Sequence, residues 1–187
     1  MIITINKESL DKIKANIKKL KNQLKDEIIP DFLRECCYKI QEMANDNLTL
    51  LDIGVNVKTD IRFGWNEPVI TKNKAVLTNS ADKAVYVEFG VGKVGEQHKH
   101  ENADKTGYQY NKPSPYKGAD GYWAFETTDA DLDLPQKDVY YQRLGDSLSV
   151  MTNGTESTMF VYNAIMDFAN KQMAQTIWEE TKRKYWG

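Results

Sequence analysis

Apolar residues recur every three or four positions through the first part of the chain. Leu10, Ile13, Ile17, Leu20 and Leu24 follow a 3-4-3-4 spacing and are separated mainly by lysine and other polar residues. This spacing predicts an amphipathic helix with a narrow apolar seam, about 30 Å long at about 1.5 Å per residue. So narrow a seam suits packing against another helix, which can belong to the same domain or to a neighbouring subunit.

Pro30 interrupts this helical pattern. Proline has no backbone N–H and disfavours α geometry at the residue before it, here Ile29. The sequence therefore predicts a kink or break at Pro30 and a second helix from about Asp31 to Asn47. Residues 1–47 together are expected to form an N-terminal helical arm.

The helical period disappears after this arm. From Leu48 to Ser80, short apolar stretches lie between glycine, proline and asparagine turn positions, which is typical of short antiparallel strands. The stretch from Ala81 to Phe89 can be a short helix or a strand, and its pattern does not decide between them. Residues 48–92 are accordingly predicted to form strands.

Residues 93–121 are polar and rich in turn-forming residues, and a connection of this length is usually functional or disordered. Aromatic residues recur in and directly after this segment: Tyr108, Tyr110, Tyr116, Tyr122 and Trp123. Aromatic-rich loops supply contact area to binding surfaces. We therefore predict an interaction loop over residues 93–121, then a strand from Gly121 to Thr127 and an acidic turn within residues 122–150.

The last strong pattern is a broad apolar stripe at helical spacing between about Glu156 and Tyr185. A stripe this wide belongs on a core, so residues 151–187 are predicted to hold a long C-terminal helix packed on a sheet. The whole chain, residues 1–187, is predicted to be a single α+β domain. It would carry N-terminal helices and a small antiparallel sheet with a long inserted loop.

Composition narrows the class of protein. The 187 residues are 41% apolar and 28% charged, as in ordinary folded domains, and the net charge of −2 argues against a role in coating nucleic acid. No window approaches about 18 consecutive apolar residues, and the first residues lack the apolar core of a signal peptide. We expect synthesis in the cytoplasm and no membrane partner.

The two cysteines, Cys36 and Cys37, are adjacent in the predicted second helix. Neighbouring helical side chains point about 100° apart, so a disulfide between them would be strained. They also lack the CxxC spacing of a zinc or redox site. We expect both to be reduced, with one of them in the core.

The segment VYVEFGVGKVG places Gly90, Gly92 and Gly95 at G-x-G-x-x-G spacing, which in other contexts lets backbone amides bind a phosphate group. Such a site requires an amphipathic helix after the glycines. The stretch from Glu96 to Gly118 has almost no aliphatic residues and no helical stripe. A small nucleotide- or metal-binding hydrolase that uses these glycines stays open as an alternative, but the context of the motif disfavours it.

His98 and His100 are the two histidines of the chain, and an H-x-H pair can hold a metal on one face of a strand. The surrounding residues predict a polar loop that would not orient the rings, which favours a solvated loop over a metal site. The aspartates at alternate positions from Asp129 to Asp133 imitate a calcium loop, but Leu134 stands where its turn glycine belongs. We expect no catalytic site, no metal and no cofactor.

Three blocks of the sequence, taken together, resemble a known family. They are ADKAVYVEFGVGKVG (Ala81–Gly95), the loop from GYQY to GYWAF (Gly107–Phe125) and ESTMFVYNAIMDF (Glu156–Phe168). Their order and spacing are similar to those of the HK97 gp10-like family of tailed-phage tail-completion or head–tail joining proteins. Val91 departs from the Ser or Thr usual in that family, and the family's Pro-x-x-Thr-Gly element is not recognisable near residues 50–62.

This resemblance implies a structural role without catalysis. Copies would form a homo-oligomeric ring, usually a hexamer, at the neck of the virion, between head-completion proteins and the tail tube or tail terminator. DNA would pass through the lumen without sequence-specific binding. A different phage neck or tail-terminator protein of the same architecture is the alternative within this class.

The resemblance also singles out residues for interaction or structure. Its glycines would allow a tight turn, with positive φ at Gly90 or Gly92. Phe89 and Phe160 would anchor in the core, and Glu88 would make a subunit salt bridge or cap a turn. The full set is Glu88, Phe89, Gly90, Gly92, Gly95, Tyr108, Tyr110, Tyr116, Tyr122, Trp123, Phe160 and Tyr162.

Overall fold

A computed structural model describes residues 7–110, 123–127, 139–144, 147–152 and 154–187. Helices dominate this part of the chain and are joined by short antiparallel sheets. The fold is therefore helix-rich and broadly α+β, in agreement with the class that the sequence predicts.

The N-terminal helices follow one another without interruption. Helix α1 (Lys7–Gln23), a π-helical segment (Leu24–Ile28) and helix α2 (Ile29–Leu50) are continuous, so of the predicted kink or break at Pro30, the break is wrong. The N–H of Ile29 donates to the carbonyl of Leu24, five residues earlier, which is the wider turn of a π-helix. This widened turn directly before Pro30 accommodates a residue that would clash within a regular α-helix.

Two helices replace strands that were predicted within residues 48–92. Helix α3 spans Val55–Phe63 and helix α4 spans Asp82–Phe89. Ile61 of α3 is completely buried, and its burial in a helical core outweighs the β preference of its neighbours. The undecided stretch from Ala81 to Phe89 is thus helical.

The strand prediction is confirmed between these two helices. Strand β1 (Val69–Thr71) pairs with strand β2 (Lys74–Val76) in an antiparallel hairpin. Lys72, in the turn between them, has a φ of 51°, a conformation that non-glycine residues reach most often in tight turns.

Short helices also occupy the first part of the predicted interaction loop. Helix α5 spans Gly92–Gln97 and helix α6 spans Ala103–Thr106, where the sequence predicted a polar loop. The buried positions of α5 are Gly92 and Gly95, whose packing surface is backbone. An apolar stripe cannot reveal such a helix. Residues 111–121, including Tyr116, lie outside the described residues.

A second antiparallel sheet follows in the chain, with strand order β3-β5-β4. Its strands are β3 (Trp123–Thr127), β4 (Val139–Leu144) and β5 (Ser147–Thr152). The strand predicted up to Thr127 is confirmed by β3. Tyr122 and the acidic turn from Asp129 to Asp133 lie outside the described residues.

The C-terminal apolar stripe forms two helices, α7 (Phe160–Asn170) and α8 (Met173–Trp186), instead of the single helix that was predicted. Gln172, between them, has a φ of 53°, in the left-handed region, where a right-handed helix cannot continue. The periodicity persists across this turn, which is why the sequence alone suggests one long helix.

The described residues divide into two compact units. One contains residues of Met1–Lys39, Glu67–Leu77 and Phe168–Gly187, and the other contains residues of Ile40–Asn66 and Thr78–Asp167. The chain passes between them four times: within α2, between Asn66 and Glu67, between Leu77 and Thr78, and within α7. The sequence gives no clear sign of this division because two of the crossings lie inside helices, without a glycine- or proline-rich linker.

The core of the second unit is helical. Its fully buried side chains come from α2, α3 and α7, and they are Ala44, Leu48, Ile61, Phe160 and Ala164. Phe160 is the largest of them, as expected for a core anchor. Asn47 donates from its side-chain amide to the carbonyl of Phe160 at 3.0 Å, which satisfies a backbone group at the start of α7.

In the first unit, aromatic and ionic contacts join residues that are distant in sequence. Phe32 and Trp178 pack edge to face, with ring centroids 5.4 Å apart. Asp31 accepts hydrogen bonds from Lys184 at 2.7 Å and from Tyr185 at 2.6 Å.

Both cysteines are free thiols and one of them is buried, as expected.

Candidate functional site

The carboxylate of Glu88, at the end of α4, binds the start of α7. It accepts hydrogen bonds from the backbone N–H of Val161 at 2.8 Å and of Tyr162 at 2.9 Å. The first N–H groups of a helix have no partner within the helix, and a negative charge there is favoured by the helix dipole. Of the two roles considered for Glu88, the structure shows capping.

The segment before α7 donates hydrogen bonds to carbonyl groups at the end of α4. The carbonyls of Val87 and Glu88 accept hydrogen bonds from the N–H groups of Thr158 and Met159, each at 3.2 Å. The hydroxyls of Thr158 and Ser157 donate to the same two carbonyls, each at 2.7 Å. The free groups at the end of one helix and the start of the next therefore satisfy one another.

The side chain of His100 also hydrogen-bonds the carboxylate of Glu88. Its Nε2 lies 2.9 Å from Glu88 Oε1, and its Nδ1 accepts the N–H of Asn102 at 2.9 Å. Because Nδ1 is an acceptor, the ring proton sits on Nε2 and is donated to Glu88. The ring is 4% exposed, so the prediction of a solvated loop is wrong for His100. His98, by contrast, is exposed and lies 3.7 Å from Glu156.

Aromatic rings enclose this pair. The ring of Phe89 lies 4.3 Å from that of His100 and 4.7 Å from that of Tyr108, between centroids. Phe89 is half-buried within this stack, not in the apolar core. The hydroxyl of Tyr108 donates to the carbonyl of Gly90 at 2.7 Å, and burial raises the pKa of Tyr108 to about 12. The hydroxyl of Tyr110 accepts the N–H of His100 at 2.8 Å.

Tyr162 lies at the edge of the same group of rings. Its centroid is 5.4 Å from that of His100 in an edge-to-face arrangement. Its hydroxyl donates to the carboxylate of Glu101, and this hydrogen bond raises the pKa of Tyr162. Glu101 thus ties the exposed end of the ring to the segment that carries His100.

The glycine motif packs closely against the segment before α7. Val91 and Thr155 exchange two backbone hydrogen bonds, each 3.0 Å long. A Cβ added at Gly90 would lie 2.5 Å from the carbonyl oxygen of Thr155, so a side chain cannot fit there. Gly90 and Gly92 have φ values of 75° and 66°, which agrees with the positive φ expected at this turn.

The amides of the motif are already bonded within the chain. Each glycine N–H donates to a protein carbonyl: Gly90 to Tyr86 at 2.8 Å, Gly92 to Tyr110 at 3.0 Å and Gly95 to Val91 at 3.1 Å. A phosphate-binding loop needs such amides to point at the ligand. The described geometry therefore explains the three glycines by backbone packing.

The Glu88–His100 pair has few atoms left for chemistry. The carboxylate accepts three hydrogen bonds, and both nitrogens of the imidazole have protein partners. A general base or a metal ligand needs a nitrogen lone pair that faces the substrate or the ion. Over the described ranges, no group of three His, Cys, Asp or Glu side chains is placed to hold a metal ion.

The structure also uses residues that the sequence did not single out. Asn102 fixes the tautomer of His100, and Ser157 and Thr158 complete the end of α4. Hydroxyl residues before an apolar stripe mark a helix start, which was visible in the sequence. Their acceptors were not, because Val87 lies 71 residues from Thr158.

The candidate residues fall into three groups. The first group meets around His100 and contains Glu88, Phe89, Tyr108, Tyr110 and Tyr162. The glycines lie beside its tyrosines, since Gly90 and Gly92 hydrogen-bond Tyr108 and Tyr110, and Gly95 is next to the Tyr110 ring. Phe160 lies in the apolar core. Tyr116 and Tyr122 lie outside the described residues, and Trp123 is described as the backbone of β3.

Comparison of the chain with protein-family models, curated proteins and solved structures finds no match. Within the described ranges, no helix combines the length and apolar character needed to cross a bilayer.

Proposed function

We propose that this chain is a structural subunit of the neck of a tailed bacteriophage, a tail-completion or head–tail joining protein without catalytic activity. Copies would form a ring, usually sixfold, between the head-completion proteins and the tail tube or tail terminator, and DNA would pass through its lumen.

The observation that carries the proposal is the way Glu88 joins two of the blocks that resemble the phage family. Glu88 belongs to the VEFG block, and the amides it caps belong to the block that begins α7. Both motifs therefore serve the same structural contact, in which a carboxylate accepts the free N–H groups at a helix start. Motifs that stabilise the fold, and bind no substrate, suit a protein whose role is assembly.

The glycine motif supports the same interpretation. Its amides bond to protein carbonyls and its glycines permit close backbone packing, both of which hold a turn in place. In the proposed role this turn holds the first part of the predicted interaction loop, with Tyr108 and Tyr110, within the folded unit. Exposed residues of this segment would then contact a neighbouring subunit or a head or tail protein.

Exposed apolar side chains further support a role in assembly. Leu50 and Phe63 are 85% and 86% exposed. Large apolar groups of this kind are often covered when subunits close into a ring.

The neighbouring genes provide the first test. Portal, adaptor and head-closure genes upstream, with tail-tube or sheath genes downstream, are expected. Mass spectrometry of purified virions encoded by the same genome should then find this chain at a copy number that fits one ring. Its absence from intact virions would contradict the proposal.

Binding measurements on the purified chain provide the second test. Metal analysis and a nucleotide titration separate the structural role from a small hydrolase that uses Gly90, Gly92 and Gly95. We expect no stoichiometric metal and no saturable nucleotide binding. Stoichiometric metal, or nucleotide affinity in the micromolar range, would favour the hydrolase.

A further inference from the structure

Helix α1 concentrates positive charge in a chain that is negatively charged overall. It contains six lysines and two acidic residues, a net charge of +4, whereas the whole chain carries −2. The rest of the chain therefore carries −6. A charge asymmetry of this size points to an anionic partner for the basic element.

Four of these lysines follow one side of α1. Lys7, Lys14, Lys18 and Lys21, here called the lysine row, are spaced by seven, four and three residues. At about 100° per residue, this spacing keeps them within about 60° of one another around the helix axis, over a length of about 21 Å. All four side chains are exposed. The lysine row therefore presents a line of positive charge to its surroundings.

The carboxylates of α1 do not neutralise the lysine row. Glu8 pairs with Lys12, on the other side of the helix, at 2.8 Å. Asp11 lies beside the row, but in the part of the chain that the structure describes, no ion pair joins a carboxylate to any of the four lysines. The anions that balance these charges must therefore come from solvent or from a partner.

The composition of α1 suits phosphate groups better than a protein surface. Protein interfaces are enriched in arginine and aromatic residues and depleted in lysine, and α1 contains neither arginine nor an aromatic residue. Lysine binds phosphate as a point charge, without the planar fork by which arginine reads a guanine. A row of lysines alone therefore favours contacts with a phosphate backbone and no preference for base sequence.

A bilayer surface fits the lysine row less well than DNA does. A helix that lies on anionic lipid with its apolar face down has both flanks of that face at the level of the headgroups. In α1 the lysine row lies on one flank, and the other flank carries the uncharged residues Asn16 and Gln23. Duplex DNA carries its phosphates in lines, about one charge per 1.7 Å of its axis, which a single row of lysines can follow.

We propose that the lysine row of α1 binds the phosphate backbone of duplex DNA without reading its sequence. This inference rests on the proposed function, in which DNA passes through a ring of these chains, and it names the surface that contacts the DNA. Phosphate contacts of this kind depend on salt and let a protein slide along DNA. They are therefore compatible with the passage of DNA through a lumen.

The first experiment measures binding of the full chain to a fluorescent duplex of about 30 base pairs, by anisotropy, at about 50 to 200 mM salt. If the lysine row neutralises four phosphates, the logarithm of the binding constant should fall with the logarithm of the salt concentration with a slope of about −3.6. Binding should weaken about 150-fold over this range. Two duplexes of unrelated sequence should bind equally well.

The second experiment uses matched variants to locate the contact. Lys14→Gln combined with Lys18→Gln removes two charges from the lysine row, and it should weaken binding at least about tenfold and reduce the slope by about 1.8. Lys12→Gln combined with Lys19→Gln removes the same charge from the other side of α1 and should leave binding nearly unchanged. Circular dichroism should give equal helix content for both double variants, because all four positions are exposed and glutamine is a good helix former.

Three results would overturn the inference. The first is no binding to the duplex by about 100 µM chain at about 50 mM salt, and the second is an equal loss of binding in the two double variants. The third is tighter binding to phosphatidylserine vesicles than to the duplex, which would assign the lysine row to a membrane surface.

The outcomes for DNA binding and for the proposed function can be told apart. A chain that is present in virions but does not bind the duplex would support the proposed function and contradict this inference. Binding to DNA through the lysine row by a chain that is absent from virions would do the reverse.

Discussion

Helices α1 and α7 are both amphipathic, but they differ in what covers their apolar residues. Ile13 and Ile17 of α1 are more than half exposed, whereas Phe160 and Ala164 of α7 are buried against α2 and α3. Spacing in the sequence is the same kind of signal in both cases. Periodicity therefore predicts a helix and its apolar face, while the residues that cover that face depend on the rest of the molecule.

The largest loss of stability is expected for a substitution in the buried face of α7. Phe160→Ala should lower the free energy of unfolding by about 3–5 kcal/mol, because it removes a fully buried ring and leaves a cavity. Ile165→Ala, on the same helix but 46% exposed, should cost less than about 1 kcal/mol. Urea denaturation of the two variants measures both values. A loss below about 1 kcal/mol at Phe160 would mean that α7 is not covered as described.

The reactivity of the Cys36 thiol reports how well α2 is covered. Burial, and to a lesser degree the neighbouring Cys37, raises the pKa of Cys36 from 9.0 to about 11. At pH 8 the folded chain should therefore have about 100-fold less Cys36 thiolate than the unfolded chain, and iodoacetamide should react correspondingly slowly. Mass spectrometry of folded and urea-unfolded protein gives the two rates. Equal rates would show that this part of α2 is as exposed as Ile17 of α1.

Helix α7 is also stabilised by a polar contact, the capping of its first N–H groups by Glu88. Glu88→Gln keeps the shape of the side chain but replaces one carboxylate oxygen by an NH₂ group. The carboxylate accepts N–H groups of Val161, Tyr162 and His100, so this NH₂ group would face an N–H group and a hydrogen bond would be lost. We expect a loss of about 1–3 kcal/mol in urea denaturation. Asp104→Asn, at an exposed position of α6, is the matched control and should have little effect. Equal stabilities of the two variants would contradict the capping role.

The smallest effect is expected at an ion pair on the surface of the first unit. Hydrogen bonds from Lys184 and Tyr185 lower the pKa of Asp31 below its ordinary value of 3.8. A carboxyl whose pKa is lower in the folded state contributes stability above its unfolded pKa and loses that contribution as the pH falls through its folded pKa. Asp31→Asn should therefore be slightly less stable than wild type at pH 7, because Lys184 is largely exposed.

The pH dependence of this difference checks its cause. Denaturation midpoints of wild type and Asp31→Asn should converge as the pH falls from 3.8 through the lower folded pKa of Asp31, because the aspartate is then protonated in both states. Asp11→Asn, on the exposed helix α1, is the control. A difference between wild type and Asp31→Asn that stayed constant from pH 7 to pH 2 would assign the effect of Asp31 to packing.

Local signals predicted part of the fold correctly. The helical spacing around Ile17, the hairpin near Lys72 and the strand up to Thr127 are all present. Prediction failed at Pro30, where a π-helical turn replaces a break, and at α3, where burial of Ile61 favours a helix. In these two places a longer-range or less common backbone arrangement outweighed the local preference.

The candidate site divides in the same way. The family resemblance implied a positive φ at Gly90 or Gly92, and both have one. The apolar stripe predicted a helix from about Glu156, and α7 begins four residues later, at Phe160. Neither signal indicated that His100 is buried. That burial requires Glu88, twelve positions earlier, to lie between the imidazole and the start of α7.

The sequence by itself therefore determined which segments are amphipathic and which positions carry closely spaced glycines. These properties follow from backbone geometry over a few residues. Only the tertiary structure decided that Glu88 caps α7, that the glycine amides bond within the chain and that Phe160, unlike Ile17, is covered. Each of these depends on contacts between distant segments, whose cost in chain entropy is offset only when the whole unit folds.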